Sequence, residues 1–169
     1  FVYVPKPDLA RRIVLLAAGS GITPVFSILK TALEAESEST LTLVFGNRSV
    51  KDIIFREQIE DLRDRFLSRF QLIHTLSGEA QEAPIANGRI DEQKIASVMP
   101  HLIDPLDVDE LYICGPGAMI EAAAAACVAA GVPAHKIRIE LFGVPVVAAP
   151  VDASSAADSS VVDCAVVSV

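Results

Sequence analysis

No run of apolar residues in this chain approaches the ~20 needed to cross a bilayer, although 51% of its 169 residues are hydrophobic. The hydrophobicity is broken into strand-length runs and one Ala-rich helix, so no membrane segment is expected. Basic residues are in deficit: 14 Lys and Arg face 22 Asp and Glu, a formal net charge of −8. With no basic stripe, nucleic acid is excluded as a partner, and the scattered acidic residues read as a solvated surface. Cysteine is scarce, with Cys114, Cys127 and Cys164 far apart. Neither C-x-x-C nor C-x4-C-x2-C spacing occurs, so no iron–sulfur site lies within these residues. An odd number of distant cysteines also argues against a disulfide framework and makes a reducing cytoplasm the default. His74, His101 and His135 stand alone, without H-x-x-x-H or H-E-x-x-H spacing; no metal site is expected and none of the three is given a role. An initiator Met and a signal-peptide pattern are both missing, and the chain reads as a piece of a longer one. Its length suits one well-packed domain rather than two.

What is present is a strand–turn–helix with unusual turn chemistry. The apolar run Ile13-Val14-Leu15-Leu16 leads into Ala17-Ala18-Gly19-Ser20-Gly21-Ile22-Thr23-Pro24. The run predicts a buried strand, the glycines a tight turn, and Thr23 with Pro24 a helix start, Thr23 acting as the cap. Glycines let backbone approach a bulky anion, and a helix N-terminus presents free N–H groups with a partial positive charge. Those are the requirements for holding a pyrophosphate. The spacing is not G-x-G-x-x-G, because position 24 is Pro.

Strand and helix signals then alternate. Leu41–Phe45 predicts a strand, Gly46-Asn47-Arg48-Ser49 a turn, and residues 52 to 66 a helix with Phe55, Ile59, Leu62 and Phe66 on one face. Phe70–His74 predicts a third strand, followed by a polar loop through Asn87-Gly88. Asp91 is expected to cap a short helix ending near Pro100, and residues 104 to 109 form an acidic loop. Leu111-Tyr112-Ile113 predicts a strand ending in Cys114-Gly115-Pro116-Gly117-Ala118-Met119. A long alanine-rich helix follows, started by Pro116 and ended by Gly131. Ile137-Arg138-Ile139-Glu140-Leu141-Phe142 is an alternating edge strand. This alternation implies an α/β fold: a parallel sheet with helices on both faces, its glycine turns sharing one rim.

These three segments together, over roughly residues 11 to 143, resemble the NAD(P)-binding domain of the ferredoxin–NADP reductase superfamily. The likeness is greatest to reductases of the phenylacetate-degradation type. There a G-x-G-x-[TS]-P turn and a C-G-P turn grip the nicotinamide nucleotide, and a Glu-x-Phe-like strand closes the domain. The resemblance, with the alternation, implies a Rossmann-like, doubly wound five-stranded parallel sheet of order 3-2-1-4-5. It implies cofactor-binding roles for Gly19, Ser20, Gly21, Ile22, Thr23, Pro24, Asn47, Arg48, Ser49, Ser77, Gly115, Pro116 and Met119. It implies that Cys114 lies beside the nicotinamide and aligns it without acting as a covalent nucleophile, and that Glu140 and Phe142 lie near the hydride-transfer site. Cys127 is expected in the core, and Cys164 has no assigned role.

Cofactor choice stays open between NADPH and NADH. Arg48, rather than a carboxylate, follows the second strand and suits a 2′-phosphate. However, Thr75-Leu76-Ser77-Gly78-Glu79 lacks the Ser-Arg pair of many NADP-specific members, and relatives with a similar Asn-Arg turn include NADH users. Arg56 is either a helper or plain surface.

The resemblance further implies the surrounding organisation. Residues 1–10 would be the end of a missing FAD-binding β-barrel and its connection, with Phe1-Val2-Tyr3-Val4 the tail of a strand. Residues 11–147 would be the nucleotide domain, 148–160 a linker of Ala, Ser, Asp, Pro and Val, and 161–169 the start of a truncated [2Fe–2S] ferredoxin domain. The implied function is to pass hydride from NAD(P)H to FAD, with electrons moving on to an oxygenase component or similar acceptor in the cytoplasm. Alone, the fragment is expected to bind nucleotide weakly and turn nothing over. The alternatives are a flavohaemoglobin-like or simple flavin reductase domain, and a non-catalytic nucleotide-binding regulatory module.

Overall fold

The first strand, β1 (Arg12–Ala18), is apolar along its length because it is covered on both sides. Ile13, Leu15 and Ala17 point into one hydrophobic cluster, and Val14 and Leu16 into another. A strand buried on both faces reads as a continuous apolar run. The computed structural model of the chain describes residues 1–102 and 104–141, with only the backbone at 99–102. Phe142, Cys164, the expected linker and the expected start of a ferredoxin domain lie outside the described residues.

Around β1 are β2 (Thr40–Asn47), β3 (Phe70–Leu76), β4 (Glu110–Gly115) and β5 (Ile137–Leu141). All pair in parallel in the order β3-β2-β1-β4-β5, as expected. Helices α1 (Ile22–Ala35) and α2 (Arg56–Arg65) cover one face, burying Val25, Leu29, Ile59 and Leu62. Helices α3 (Glu92–Leu102) and α4 (Gly117–Ala129) cover the other through Ile95, Val98, Ile120 and Ala123. Among the described residues no helix is long and apolar enough to cross a membrane.

Several local expectations need correction. Thr23 does not cap α1: the helix begins one residue earlier, Gly21 occupies the cap position and no side chain bonds the free amides. The reason is packing, since a Cβ on Gly21 would stand 2.3 Å from the Cys114 carbonyl oxygen. Only glycine lets α1 start this close to β4, so the turn closes into a 3₁₀ turn at Gly19–Gly21. Gly46 and Asn47 belong to β2 rather than to a turn, because β1 and β3 both extend the pairing: Ala18 matches Gly46 and Asn47 matches Leu76. Helix α2 starts at Arg56 rather than near 52. Phe55 before it adopts a left-handed backbone with φ +57°, where its ring stacks on Phe26 at 4.9 Å.

Other expectations hold. Asp91 caps α3 by accepting the Lys94 amide at 2.8 Å. Gly131, at φ +110°, follows α4, and its amide and that of Val132 return to the Val128 and Cys127 carbonyls. That is the paired end-bond pattern that glycine permits. The strand tail expected at Phe1-Val2-Tyr3-Val4 is not formed: residues 1–10 contain no strand or helix. They are tied to the amino end of the sheet, where Tyr3 donates to Glu36 at 2.6 Å and the Lys6 amide donates to the same carboxylate. Arg11 also pairs with Glu36, and it donates to Glu110 at 2.9 Å.

Candidate functional site

Strand order reverses between β1 and β4, so the chain leaves these neighbours towards opposite faces and opens a crevice beyond their carboxyl ends. Open α/β sheets bind ligands at such a switch point. The crevice is a cavity of about 610 Å³. It is bounded by Ala18 and Gly19 at the end of β1, by Asn47 and Arg48 at the end of β2, and by Ser77 after β3. Pro116 and Met119 close it at the start of α4, and Gly88, Arg89, Ile90 and Asp91 close it from the loop before α3.

The walls show why the turns carry glycine. Gly19 has φ +53° with open space where a Cβ would stand, so it serves the turn's conformation. Gly115 is different: a Cβ there would meet the Met119 sulfur at 2.7 Å and the Ala18 Cβ at 3.3 Å. Its absence keeps the β1 and β4 turns close together. Asn47 is 8% exposed, and its Nδ2 has no hydrogen-bond partner. A buried amide left unbonded costs about 1–3 kcal/mol, and the Nδ2 atom itself has no exposed surface on the cavity.

Of the residues proposed from sequence to hold a cofactor, the structure gathers Gly19, Asn47, Arg48, Ser77, Pro116 and Met119 around this cavity. Gly21 and Gly115 sit behind its wall as packing residues. Ile22 is wholly buried in the core. Ser20 and Thr23 are exposed. Ser49 is buried, and its hydroxyl donates to Asp52. Arg56 is paired with Glu60 on the surface of α2.

Pro24 and Glu140 line a separate hollow of about 240 Å³, together with Ser27, Thr31, Phe1 and Tyr3. Glu140 pairs in register with Cys114 and accepts from the Phe1 amino group. Cys114 is completely buried on the α1 face and lines neither hollow. Burial, and then the Glu140 carboxylate, push its thiol up to about 11. It is therefore a neutral thiol at physiological pH and not an activated nucleophile; the structure does not place it on the surface of either hollow, where the sequence led us to expect it. Cys127 is buried in the opposite cluster, and burial pushes it up to about 12.

Sequence reasoning missed Gly88, Arg89 and Asp91 as site residues. In the sequence Asn87-Gly88 is legible only as the end of a loop. What brings Arg89 to the cavity is tertiary: the Gly88 amide bonds the Leu76 carbonyl at 2.8 Å, and the Thr75 hydroxyl bonds the Gly88 carbonyl at 2.7 Å. Buried Lys94 donates to the Ile85 and Asn87 carbonyls at 2.7 and 2.6 Å, fastening the loop to α3.

Comparison with known proteins agrees with this geometry. The chain is 40% identical over 145 residues to one component of the 1,2-phenylacetyl-CoA epoxidase of Escherichia coli, covering 86% of this chain and 41% of that protein. It is 38% identical over 128 residues to the ferredoxin reductase component of 3-ketosteroid-9-alpha-monooxygenase from Mycobacterium tuberculosis, covering 76% and 32%. Among solved structures, the CS-b5R domains of human Ncb5or in the NAD+ form superpose with a TM-score of 0.66 at 28% identity, covering 77% and 36%. The chain thus spans less than half the length of each of these relatives. The oxidoreductase NAD-binding domain family matches residues 15–125, more than half of the chain and including the strand ends that frame the cavity. A five-stranded Rossmann-like sheet, a glycine-walled crevice at its switch point and this match converge: the chain belongs to the oxidoreductase NAD-binding domain family.

Proposed function

We propose that this chain is the nicotinamide-nucleotide-binding part of a cytoplasmic reductase that also carries FAD and a [2Fe–2S] cluster on segments outside it. The observation that supports this most is the cavity at the β1/β4 switch point, walled by close-packed glycine turns. Those features fit the nucleotide, because the turns leave room for a pyrophosphate at a helix N-terminus. The bound cofactors would supply hydride transfer from nicotinamide to flavin and single-electron passage onward to an oxygenase component. Two relatives named as parts of an epoxidase and a monooxygenase support that acceptor class.

In this reading the chain's own residues bind and orient. The Gly19-to-Pro24 turn and the start of α4 seat the pyrophosphate, with Ser20, Ile22 and Thr23 contributing backbone and helix-terminal polarity rather than side-chain contacts. Gly115 and Pro116 admit the nicotinamide half between the turns, and Met119 packs along it. Asn47, Arg48, Ser49 and Ser77 serve the adenosine half. Glu140, with Phe142 beyond the described residues, borders the reacting end, and Cys114 lies buried behind it. Neutral Cys114 presents no competing nucleophile there.

Nuclear magnetic resonance of the ¹⁵N-labelled chain titrated with NADPH or NADH tests the assignment. The expected result is shifts concentrated on the amides of Gly19, Gly21, Asn47, Ser77 and Gly115. Shifts confined to other surfaces, or none at millimolar nucleotide, overturn it.

A further inference from the structure

The smaller hollow, at Glu140, has α1 on one side, through Pro24 and Ser27, and the first residues of the chain on the other, through Phe1 and Tyr3. The Phe1 ring meets the Tyr112 ring edge-on at 5.2 Å, and the Tyr3 ring meets it at 6.1 Å. Both pack against the cluster that buries Cys114. Val2 and Val4 are instead 88% and 64% exposed. Inward and outward side chains thus alternate as in a strand, yet no backbone–backbone hydrogen bond joins residues 2–5 to any described residue. A side chain holds this stretch in place. The Tyr3 hydroxyl donates to Glu36 at 2.6 Å and accepts from Arg11 at 2.8 Å. Glu36 also accepts the Lys6 amide at 2.9 Å, and is itself fixed by Arg11 and Ser39. Burial, and then the bond to Glu36, raise the Tyr3 pKa, so the hydroxyl keeps the proton it donates.

We propose that residues 1–5 are a strap forming the outer wall of the hollow at the reacting end, and that Tyr3 is the positioning residue that keeps it closed, clasped by Glu36 and Arg11. What the hollow serves rests on the nucleotide reading above; the strap and its clasp rest on the geometry of the first residues.

A segment without ladder bonds has mainly side-chain contacts to offset the entropy of ordering it. Tyr3 supplies two kinds. Its ring packs on Tyr112, and its hydroxyl joins a carboxylate already paired with a guanidinium, where hydrogen bonds are strong. Releasing Tyr3 frees Phe1, and with it the wall facing Pro24 and the cover beside Glu140, the register partner of Cys114. The clasp lies at the amino end of the sheet, so Glu36 and Arg11 act on the hollow only through the strap.

The test is alkylation of the full 169-residue chain by iodoacetamide, with Cys114 and Cys127 followed separately by peptide mass spectrometry. It is run on the unaltered chain, on Tyr3→Phe, which keeps the ring and loses the hydroxyl, and on Ile95→Val, which loosens the cluster around Cys127. A strap that lifts while the rest stays folded exposes Cys114 from a low-lying open state, whereas Cys127 is exposed only when the opposite face opens. Tyr3→Phe is expected to speed Cys114 labelling at least about tenfold, the scale of one charged hydrogen bond. Ile95→Val is expected to speed Cys127 and leave Cys114 unchanged. Equal responses of the two thiols to both variants mean that Cys114 is reached only by global unfolding, and overturn the strap. A Cys114 rate unmoved by Tyr3→Phe overturns the clasp. NADH titrated into the ¹⁵N-labelled proteins reads the positioning role. The Gly115 and Glu140 amides are expected to shift less in Tyr3→Phe than in the unaltered chain, with Asn47 and Ser77 shifting alike in both. Unchanged shifts at all four amides, or their joint loss in the variant, overturn that role. If no amide shifts in either protein, the nucleotide reading fails, and the alkylation rates still decide the strap.

Discussion

The two ends of the parallel sheet both carry clusters of polar groups and treat them in opposite ways. At the amino end, buried Glu36 accepts from Arg11, Tyr3, Ser39 and the Lys6 amide, and Arg69 donates to the Leu33, Glu36 and Ser39 carbonyls. Glu110 takes a further donor from Arg11 and another from Tyr112. At the carboxyl end, Arg48 and Arg89 are free among the described residues and the Asn47 amide is buried without a partner. A closed polar network consumes its own hydrogen-bonding capacity and stabilises the fold. An open one holds that capacity for something outside the chain. The difference separates structural polarity from functional polarity on physical grounds alone.

The largest effect is expected at the closed end. Arg11→Met leaves the Glu36 carboxylate buried without its cation and lowers unfolding free energy by about 3–5 kcal/mol. The double variant Arg11→Met/Glu36→Leu recovers much of that loss, and urea denaturation of the three proteins measures both. If the single variant costs no more than a surface substitution, the network is not the structural element described.

Next come packing residues between the two ends. Gly21→Ala drives a Cβ into the Cys114 carbonyl and is expected to cost about 1–3 kcal/mol or more by overpacking. It also parts the turns that wall the crevice, so denaturant midpoint and nucleotide affinity fall together. Lys94→Met leaves the Ile85 and Asn87 carbonyls short of a donor, costing about 1–3 kcal/mol. Because it frees the loop that closes the cavity beside α3, it also weakens nucleotide binding. Exposed Arg48→Ala and Arg89→Ala form the opposite pole, changing stability by no more than about 0.5 kcal/mol.

Acid sharpens the comparison in two steps. The His74 ring nitrogens are buried without partners, and burial holds its pKa below the usual 6.5. The unfolded chain then binds the proton more readily, so this contribution to stability is present above 6.5 and is lost as pH falls through the folded value. His74→Leu flattens that part of the profile. Burial opposes ionisation of Glu36, but its hydrogen bonds from Arg11, Ser39, Tyr3 and Lys6 outweigh burial and hold it down to about 2. Its contribution is therefore complete above 4.5 and is lost between 4.5 and 2. Unfolding free energy measured from neutral pH down through both windows is expected to show both falls, the second removed in Glu36→Gln.

The sequence by itself determined the order of strands and helices. Apolar runs of strand length, Pro116 at one helix start, Gly131 after its end and the Asp91 cap are local signals, and each is realised locally. It also marked Gly19, Arg48 and Pro116, because turns at parallel strand ends share a rim in any such sheet. Thr23 has the chemistry of a helix cap, yet the helix start is decided by Gly21, which must clear the Cys114 carbonyl on β4, far along the chain. Asn47 looks like a turn residue because pairing from both neighbouring strands, which extends β2 through it, is not written in its own neighbourhood. Arg89 is invisible because nothing in Gly88-Arg89-Ile90 announces that Thr75, Leu76 and Lys94 fold that loop back over β3. Only the tertiary structure decided which polar groups found partners and which did not. Backbone propensity acts over a few residues, whereas hydrogen-bond satisfaction depends on atoms brought together from the whole chain.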